Sequence, residues 1–306
     1  MNWTGVMPAM TTAFTPNDTL DTAFIARHAQ WLVENGCSGI VSLGSLGEAA
    51  TQTLVEKKLL LETLVKALDG KAPVVAAISA LSTTEAVELA KVAEGVGCSG
   101  LMVLPPYVYL GDWRETKAHV GAILKATKLE GLLYNNPVAY GTDFLPTQIV
   151  ELAAEYANLA AVKESSTDVR RVSAIRALLA DRLAIFVGVD DSIVEGINAG
   201  ATGWVAGLVN AFPRESVELF NLASAGKKEE AFELYRWFLP LLRMDTVPKF
   251  VQLIKQVQQE IGIGSAQVRA PRLVVIGGEL AETRKIVEFA QVNRPKTAIA
   301  STPFAL

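Results

Sequence analysis

The sequence predicts a (β/α)8 TIM barrel carrying a helical extension at its C-terminal end. Two observations lead there. Eight short apolar runs alternate with longer amphipathic stretches, the pattern of successive βαβ units around a parallel sheet. After Leu208 the alternation stops and helical periodicity continues without strands. A length of 306 residues suits one such barrel with a few added helices.

The apolar runs fall at residues 6–14, 39–43, 74–78, 101–104, 131–134, 159–162, 183–187 and 203–208. They are continuous and rich in Val, Ile, Leu and Ala, as expected of parallel strands buried on both faces. The first helix is expected over 22–34, where Phe24, Ile25, Trp31 and Leu32 recur at helical spacing and Gly36 supplies a stop. Thr53-Leu54-Val55-Glu56 and Ser82-Thr83-Thr84-Glu85 read as capping boxes that open the next two helices. Glu34-Asn35-Gly36-Cys37-Ser38-Gly39-Ile40 is echoed by Gly95-Val96-Gly97-Cys98-Ser99-Gly100-Leu101, each marking a helix that leaves and a strand that begins. Helices near 213–224, 228–242, 247–261 and 279–289 complete the chain. The expected division is a barrel over 1–212, the last barrel helix with the extension over 213–292, and an aperiodic, loosely packed tail over 293–306.

Half the residues are hydrophobic, enough for a large core and too many for disorder. A net charge of −4 and the lack of a dense Lys/Arg run give nothing to attract a nucleic-acid backbone. No apolar stretch reaches the roughly 20 residues that span a bilayer, and the N-terminus lacks a secretory signal pattern. Cys37 and Cys98 form no metal or redox motif, so both are expected to be small buried residues in a reducing cytoplasm.

In a barrel of this kind the chemistry sits at the C-terminal ends of the strands. The polar residues found there are Gly44-Ser45-Leu46-Gly47-Glu48, Pro105-Pro106-Tyr107, Tyr134-Asn135-Asn136-Pro137, Lys163-Glu164-Ser165-Ser166 and Gly188-Val189-Asp190-Asp191. Lys163 follows an apolar strand directly, so the strand itself would carry its amine into the mouth. An apolar setting favours a neutral amine, which attacks a carbonyl where an ammonium cannot. A lysine at a strand end can equally reach solvent or pair with a carboxylate, and position alone leaves these readings evenly balanced. Tyr134, at the end of the preceding strand, could pass protons to and from an intermediate, or simply pack in the core. The Gly44–Gly47 turn could offer amides and the Ser45 hydroxyl to a carboxylate, or be only a tight turn; Glu48 is expected to hold it. His28 and His119 lie in helical stretches, which speaks against a zinc site or a histidine-based triad. Asp190 and Asp191 could suggest a metal, but adjacent carboxylates at a loop start are more often solvated or capping a helix.

In this order, these elements resemble the dihydrodipicolinate synthase and N-acetylneuraminate lyase superfamily of Schiff-base barrels, over about residues 4–290. The resemblance implies Lys163 as the Schiff-base lysine, Tyr134 as proton shuttle, and Ser45 with the Leu46 amide as a carboxylate clamp. It implies that Tyr107 serves a neighbouring subunit's site and that Val205 lines the pocket, with Gly188, Asp190, Asn136 and Ala139 around the substrate. It further implies a homotetramer built from tight dimers, no metal or organic cofactor, and a small 2-oxo acid or cyclic imine as substrate. Two departures bear on the substrate. True dihydrodipicolinate synthases carry an arginine where this chain has Ala139, and a second hydroxyl where it has Leu46. An alanine cannot pair with an anion. The Tyr134-to-Tyr140 run resembles deaminases of a hydroxylated pyrroline carboxylate, so a catabolic deaminase or dehydratase is the leading expectation. Alternatives are a 2-keto-3-deoxy sugar acid aldolase or dehydratase, 4-hydroxy-tetrahydrodipicolinate synthase, and a non-catalytic sensor of 2-oxo acids.

Overall fold

Eight parallel strands follow one another around a barrel in the computed structural model, which describes residues 1–295 and 302–304. The barrel units are β1 (Gly5–Pro8) and α1 (Thr22–Glu34), β2 (Ile40–Ser42) and α2 (Leu54–Leu68), β3 (Val74–Ile78) and α3 (Thr83–Gly95), and β4 (Gly100–Val103) and α4 (Trp113–Lys125). β5 (Glu130–Asn135) is followed by the one-turn α5 (Pro137–Tyr140) and by α6 (Pro146–Glu155). Then come β6 (Leu159–Glu164) and α7 (Arg170–Leu179), β7 (Ala184–Val187) and α8 (Ile193–Asn198), and β8 (Gly203–Ala206) and α9 (Pro213–Ser224). The extension is α10 (Lys228–Leu242), α11 (Phe250–Glu260) and α12 (Gly277–Val292).

From β2 to β8 each strand pairs in parallel with its sequence neighbour, and β8 pairs with β1. The seam between β1 and β2 closes through a parallel bridge between Ala9 and Val41, with Ser38 N–H donating to the Val6 carbonyl and Met10 N–H to that of Val41, both at 2.8 Å. The fold is therefore the (β/α)8 barrel that the alternation of apolar and amphipathic runs predicts. No helix among the described residues is long and apolar enough to cross a membrane.

Local chemistry explains most boundaries. Thr53 and Glu56 exchange bonds in a full capping box at the start of α2. At α3, Ser82 caps the Glu85 N–H, and the reciprocal Glu85 bond expected from the sequence is absent among the described residues. The first apolar run was too long an expectation for a strand: β1 ends at Pro8, and the chain then bends across the rim. There Thr12 donates to the Gly47 carbonyl, and the Phe14 ring lies 4.8 Å from Lys255 Nζ and 4.4 Å from the Arg269 guanidinium carbon. Met10 and Phe14 are apolar because they are buried at this rim, although they lie beyond the strand.

The extension is tied to the rim by a buried ion pair. Lys255 Nζ on α11 lies 2.9 Å from Glu48 Oε1 and donates to the Thr12 carbonyl, while the Arg269 N–H donates to Glu48 Oε2. Glu48 holds its turn, as expected, but does so against the extension. Removing one partner of such a pair strands the other and costs about 3–5 kcal/mol.

His28 is wholly buried on α1, with Nε2 2.9 Å from the Asn210 carbonyl, so Nε2 carries the proton. Cys37 and Cys98 are both buried thiols. Part of the tail departs from the loose packing expected of it. The Thr302 carbonyl accepts from Trp31 Nε1, its N–H donates to Asn35, and the Phe304 ring lies edge-on to Trp31 at 5.5 Å. Residues 296–301 and 305–306 of that expected tail lie outside the described residues.

Candidate active site

β5 and β6 set the centre of the site. Tyr134 and Lys163 are partners across this parallel pair, and side chains at one register level share a face. Both are almost fully buried, at 7% and 5% exposure, and Lys163 Nζ lies 4.2 Å from the Tyr134 ring centroid. Lys163 is the fifth residue of its strand rather than the first beyond it, so the sheet fixes the base of its side chain. On the next strand Phe186 pairs with Lys163, and Gly188 is the next residue on that face. A Cβ on Gly188 would lie 2.5 Å from Lys163 Cε and 2.0 Å from Ser165 Oγ, so the lysine stem and that hydroxyl share the space a side chain would fill. Ser165 Oγ is buried without a hydrogen-bond partner.

The tyrosine motif bends over this centre. Asn136 donates to the Tyr134 hydroxyl at 3.0 Å, and its own Oδ1 caps α5 by accepting from the Ala139 N–H. The cap aims Tyr140 inward, where its hydroxyl hydrogen-bonds that of Ser45. The Tyr140 ring stands edge-on to Tyr134 at 5.7 Å and tilted against Tyr107 at 6.0 Å. Burial, then the neighbouring Tyr134 phenol, raises the Tyr140 hydroxyl, with Ser45 pulling the other way, so it stays protonated. Tyr107, expected to serve a neighbouring subunit, lies against its own chain's Tyr140. Ala139 is exposed.

The β2 turn supplies Ser45 and Leu46. Leu43 and Glu48 on either side adopt left-handed backbone, and a Cβ at Gly47 would lie 2.9 Å from the Met10 carbonyl oxygen. The Gly44 and Ser45 carbonyls accept from Ala49 and Glu48. The Ser45 and Leu46 N–H groups take no acceptor among the described residues, which leaves a pair of donors suited to an anion.

Asp190 sits elsewhere than expected. It is fully buried beneath the turn after β8, where its carboxylate accepts from Trp204 Nε1 and from the Gly207 and Leu208 N–H groups. Burial pushes it up to about 6, against those hydrogen bonds and the Lys163 charge. Those bonds fix the turn after β8 at the mouth. Gly188 makes room for Lys163. Val205 is buried on the face of β8 shared by Gly203. A Cβ on Gly207 would fall 1.9 Å from Oδ1 of Asp245, which the extension brings to the same rim. Tyr140, Ser165 and Asp245 were not among the residues singled out from sequence. Tyr140 stood within the motif run, and Ser165 two residues after the lysine. Asp245 had no local signal.

The sequence profile of the Dihydrodipicolinate synthetase family matches residues 2–290. The chain belongs to that family. Among its relatives, a 4-hydroxy-tetrahydrodipicolinate synthase of Methanococcus maripaludis is 30% identical over 282 residues, 92% of this chain and 95% of that one. One from Clostridium tetani is 31% identical over 79% of this chain and 82% of its own length. Among solved structures, the 4-hydroxy-tetrahydrodipicolinate synthase of Methylacidiphilum fumariolicum SolV superposes with a TM-score of 0.91 at 26% identity, covering 95% of this chain and 97% of that one. As a member of the dihydrodipicolinate synthetase family, the chain is a lyase of the class I aldolase type with a small-molecule substrate.

Proposed function

We propose that Lys163 forms a Schiff base with C2 of a small 2-oxo acid or cyclic imine acid. The observation that carries this reading is the buried Lys163 amine 4.2 Å from the Tyr134 ring, on paired strands at the barrel mouth. The amine adds to C2; the carbinolamine from a 2-oxo acid loses its oxygen as water, the aminal from a cyclic imine releases the ring nitrogen as an amine, and in either case the iminium draws electrons from the C3–H bond to give an enamine. Tyr134, held by Asn136 and adjoining Tyr140, which bonds Ser45, carries the protons. The Ser45 and Leu46 donors hold the substrate carboxylate. Borohydride reduction with pyruvate should leave a stable adduct on Lys163, and Lys163→Ala should leave none. An unmodified wild-type chain, or an adduct that survives Lys163→Ala, ends the proposal.

For the substrate, the pocket and the relatives favour different readings. Ala139 offers no cation for a second carboxylate, which suits deamination of a hydroxypyrroline carboxylate: dehydration and hydrolytic ring opening would release ammonia and leave 2,5-dioxopentanoate. Dehydration or aldol cleavage of 2-keto-3-deoxy sugar acids makes the same demand. The names of the relatives favour 4-hydroxy-tetrahydrodipicolinate synthase over either, and on the comparisons alone that is the better-backed reading. Steady-state rates on hydroxypyrroline carboxylate, on 2-keto-3-deoxy acids and on pyruvate with aspartate semialdehyde separate the three. A kcat/KM at least 100-fold higher for the pyruvate and semialdehyde pair would decide for the synthase. The assembly proposed with this activity is a homotetramer, which light scattering tests.

A further inference from the structure

Asp245 lies outside the barrel sequence, in the short turn that follows α10, yet its carboxylate reaches the barrel rim. Its Oδ1 occupies the place where a Cβ of Gly207 would be, in the turn that directly follows β8. It takes no hydrogen bond or ion pair among the described residues, whereas Asp190 beneath the same turn has three donors. We propose that Asp245 is the proton donor to a hydroxyl leaving C4 of the substrate, an acid lent to the site by the C-terminal extension.

This rests on the Schiff-base reading. Once the C3 proton has gone and the enamine has formed, the enamine electrons expel the C4 oxygen. The Asp245 proton joins that oxygen to leave as water, and a conjugated iminium remains on Lys163. The proton taken from C3 can restore the acid, so the step loses one water and involves no oxidant. The charged groups around Asp245 suit this role. Burial and then repulsion from Asp190 raise it well above the usual carboxylate range, Asp191 adds to the repulsion, and positive charge at the Lys163 nitrogen opposes them. Arg243, at the end of α10, is turned to Asp191 at 3.6 Å. Ser165 Oγ, buried and unpartnered beside the lysine stem, offers a second polar contact to the hydroxyl that leaves.

The test compares a half-reaction that needs no leaving group with one that does. Pyruvate in D2O reports Schiff-base and enamine formation through deuterium exchange at its methyl group and through borohydride trapping. Hydroxypyrroline carboxylate and a 2-keto-3-deoxy sugar acid report loss of the C4 hydroxyl. Asp245→Asn should keep exchange and trapping within about 3-fold of wild type, which also shows that it folds, and should lower kcat on a hydroxylated substrate about 100-fold or more. Asp245→Glu should recover part of that loss. The proposal is overturned if Asp245→Asn turns over normally or if exchange falls in step with turnover. It is also overturned if wild type exchanges pyruvate but acts on neither hydroxylated substrate. A wild type that neither exchanges nor traps pyruvate would refute the Schiff-base reading itself.

Discussion

Gly188 and Lys163 compete for one space: a Cβ at 188 would stand 2.5 Å from Lys163 Cε and 2.8 Å from its Cγ. The lysine stem lies flat against the backbone of β7's end, and that contact, together with the register to Tyr134, aims the amine.

Gly188→Ala therefore tests aim without touching the nucleophile. Overpacking a well-filled site costs about 1–3 kcal/mol, which a barrel of this size should survive. The amine should be displaced from its place beside the phenol, and the rate of pyruvate trapping should fall about 100-fold or more, with Lys163 still present. Trapping at the wild-type rate would show that the stem can move aside freely and that the glycine is not needed for aim.

Tyr140 calls for a second test. Its hydroxyl links Ser45 to the group of phenols around Tyr134, so Tyr140→Phe keeps the ring packing and removes only the oxygen. Proton-transfer partners contribute about 100-fold to 10,000-fold when direct. As an intermediate link, Tyr140 should be worth the lower end: kcat should drop about 10- to 100-fold while borohydride still traps pyruvate. Tyr107→Phe, whose ring reaches only Tyr140 among these phenols, should cost less. The kcat of both variants on the best substrate decides it, and equal losses would argue against the ranking.

The sequence disclosed the parts of this site that are carried on strands. Lys163, Tyr134 and the Gly44–Gly47 turn all sit where an apolar run gives way to polar residues, because a parallel strand must end at the mouth. It disclosed the ends of α1, α9 and α10 as well, through helical spacing, helped by the Asp21 cap on α1 and by Pro213 at the start of α9. What it could not disclose was contact between segments far apart in the chain. Asp245 meets Gly207 across 38 positions, and Lys255 meets Glu48 across 207. No local period encodes either. The contacts of Asp190 are hidden for the same reason: its residue type signals polarity, but only the fold shows its oxygens taken by β8's turn. The fit of Gly188 against the lysine stem is likewise a contact between segments that no local pattern records.

His28 yields a prediction about stability rather than catalysis. Burial lowers it from 6.5 to about 4, with the Asn210 carbonyl opposing, so the folded chain holds it neutral with Nε2–H donating to that carbonyl. In the unfolded chain the ring takes up a proton below about 6.5. Between those two values the unfolded state binds more protons than the folded one, so stability must fall as pH falls through this window. The contribution is fully present above the unfolded value and amounts to about 3 kcal/mol, lost by the time pH reaches the folded value. His28→Gln keeps a donor for the Asn210 carbonyl and removes the titration. Urea unfolding of both chains at pH 7 and pH 4.5 measures the difference. The variant should be less stable than wild type at pH 7, through imperfect packing against Trp31 and Phe24, and should lose less on acidification by about 2–3 kcal/mol. Parallel losses in the two chains would mean that His28 is accessible to protons in the folded state.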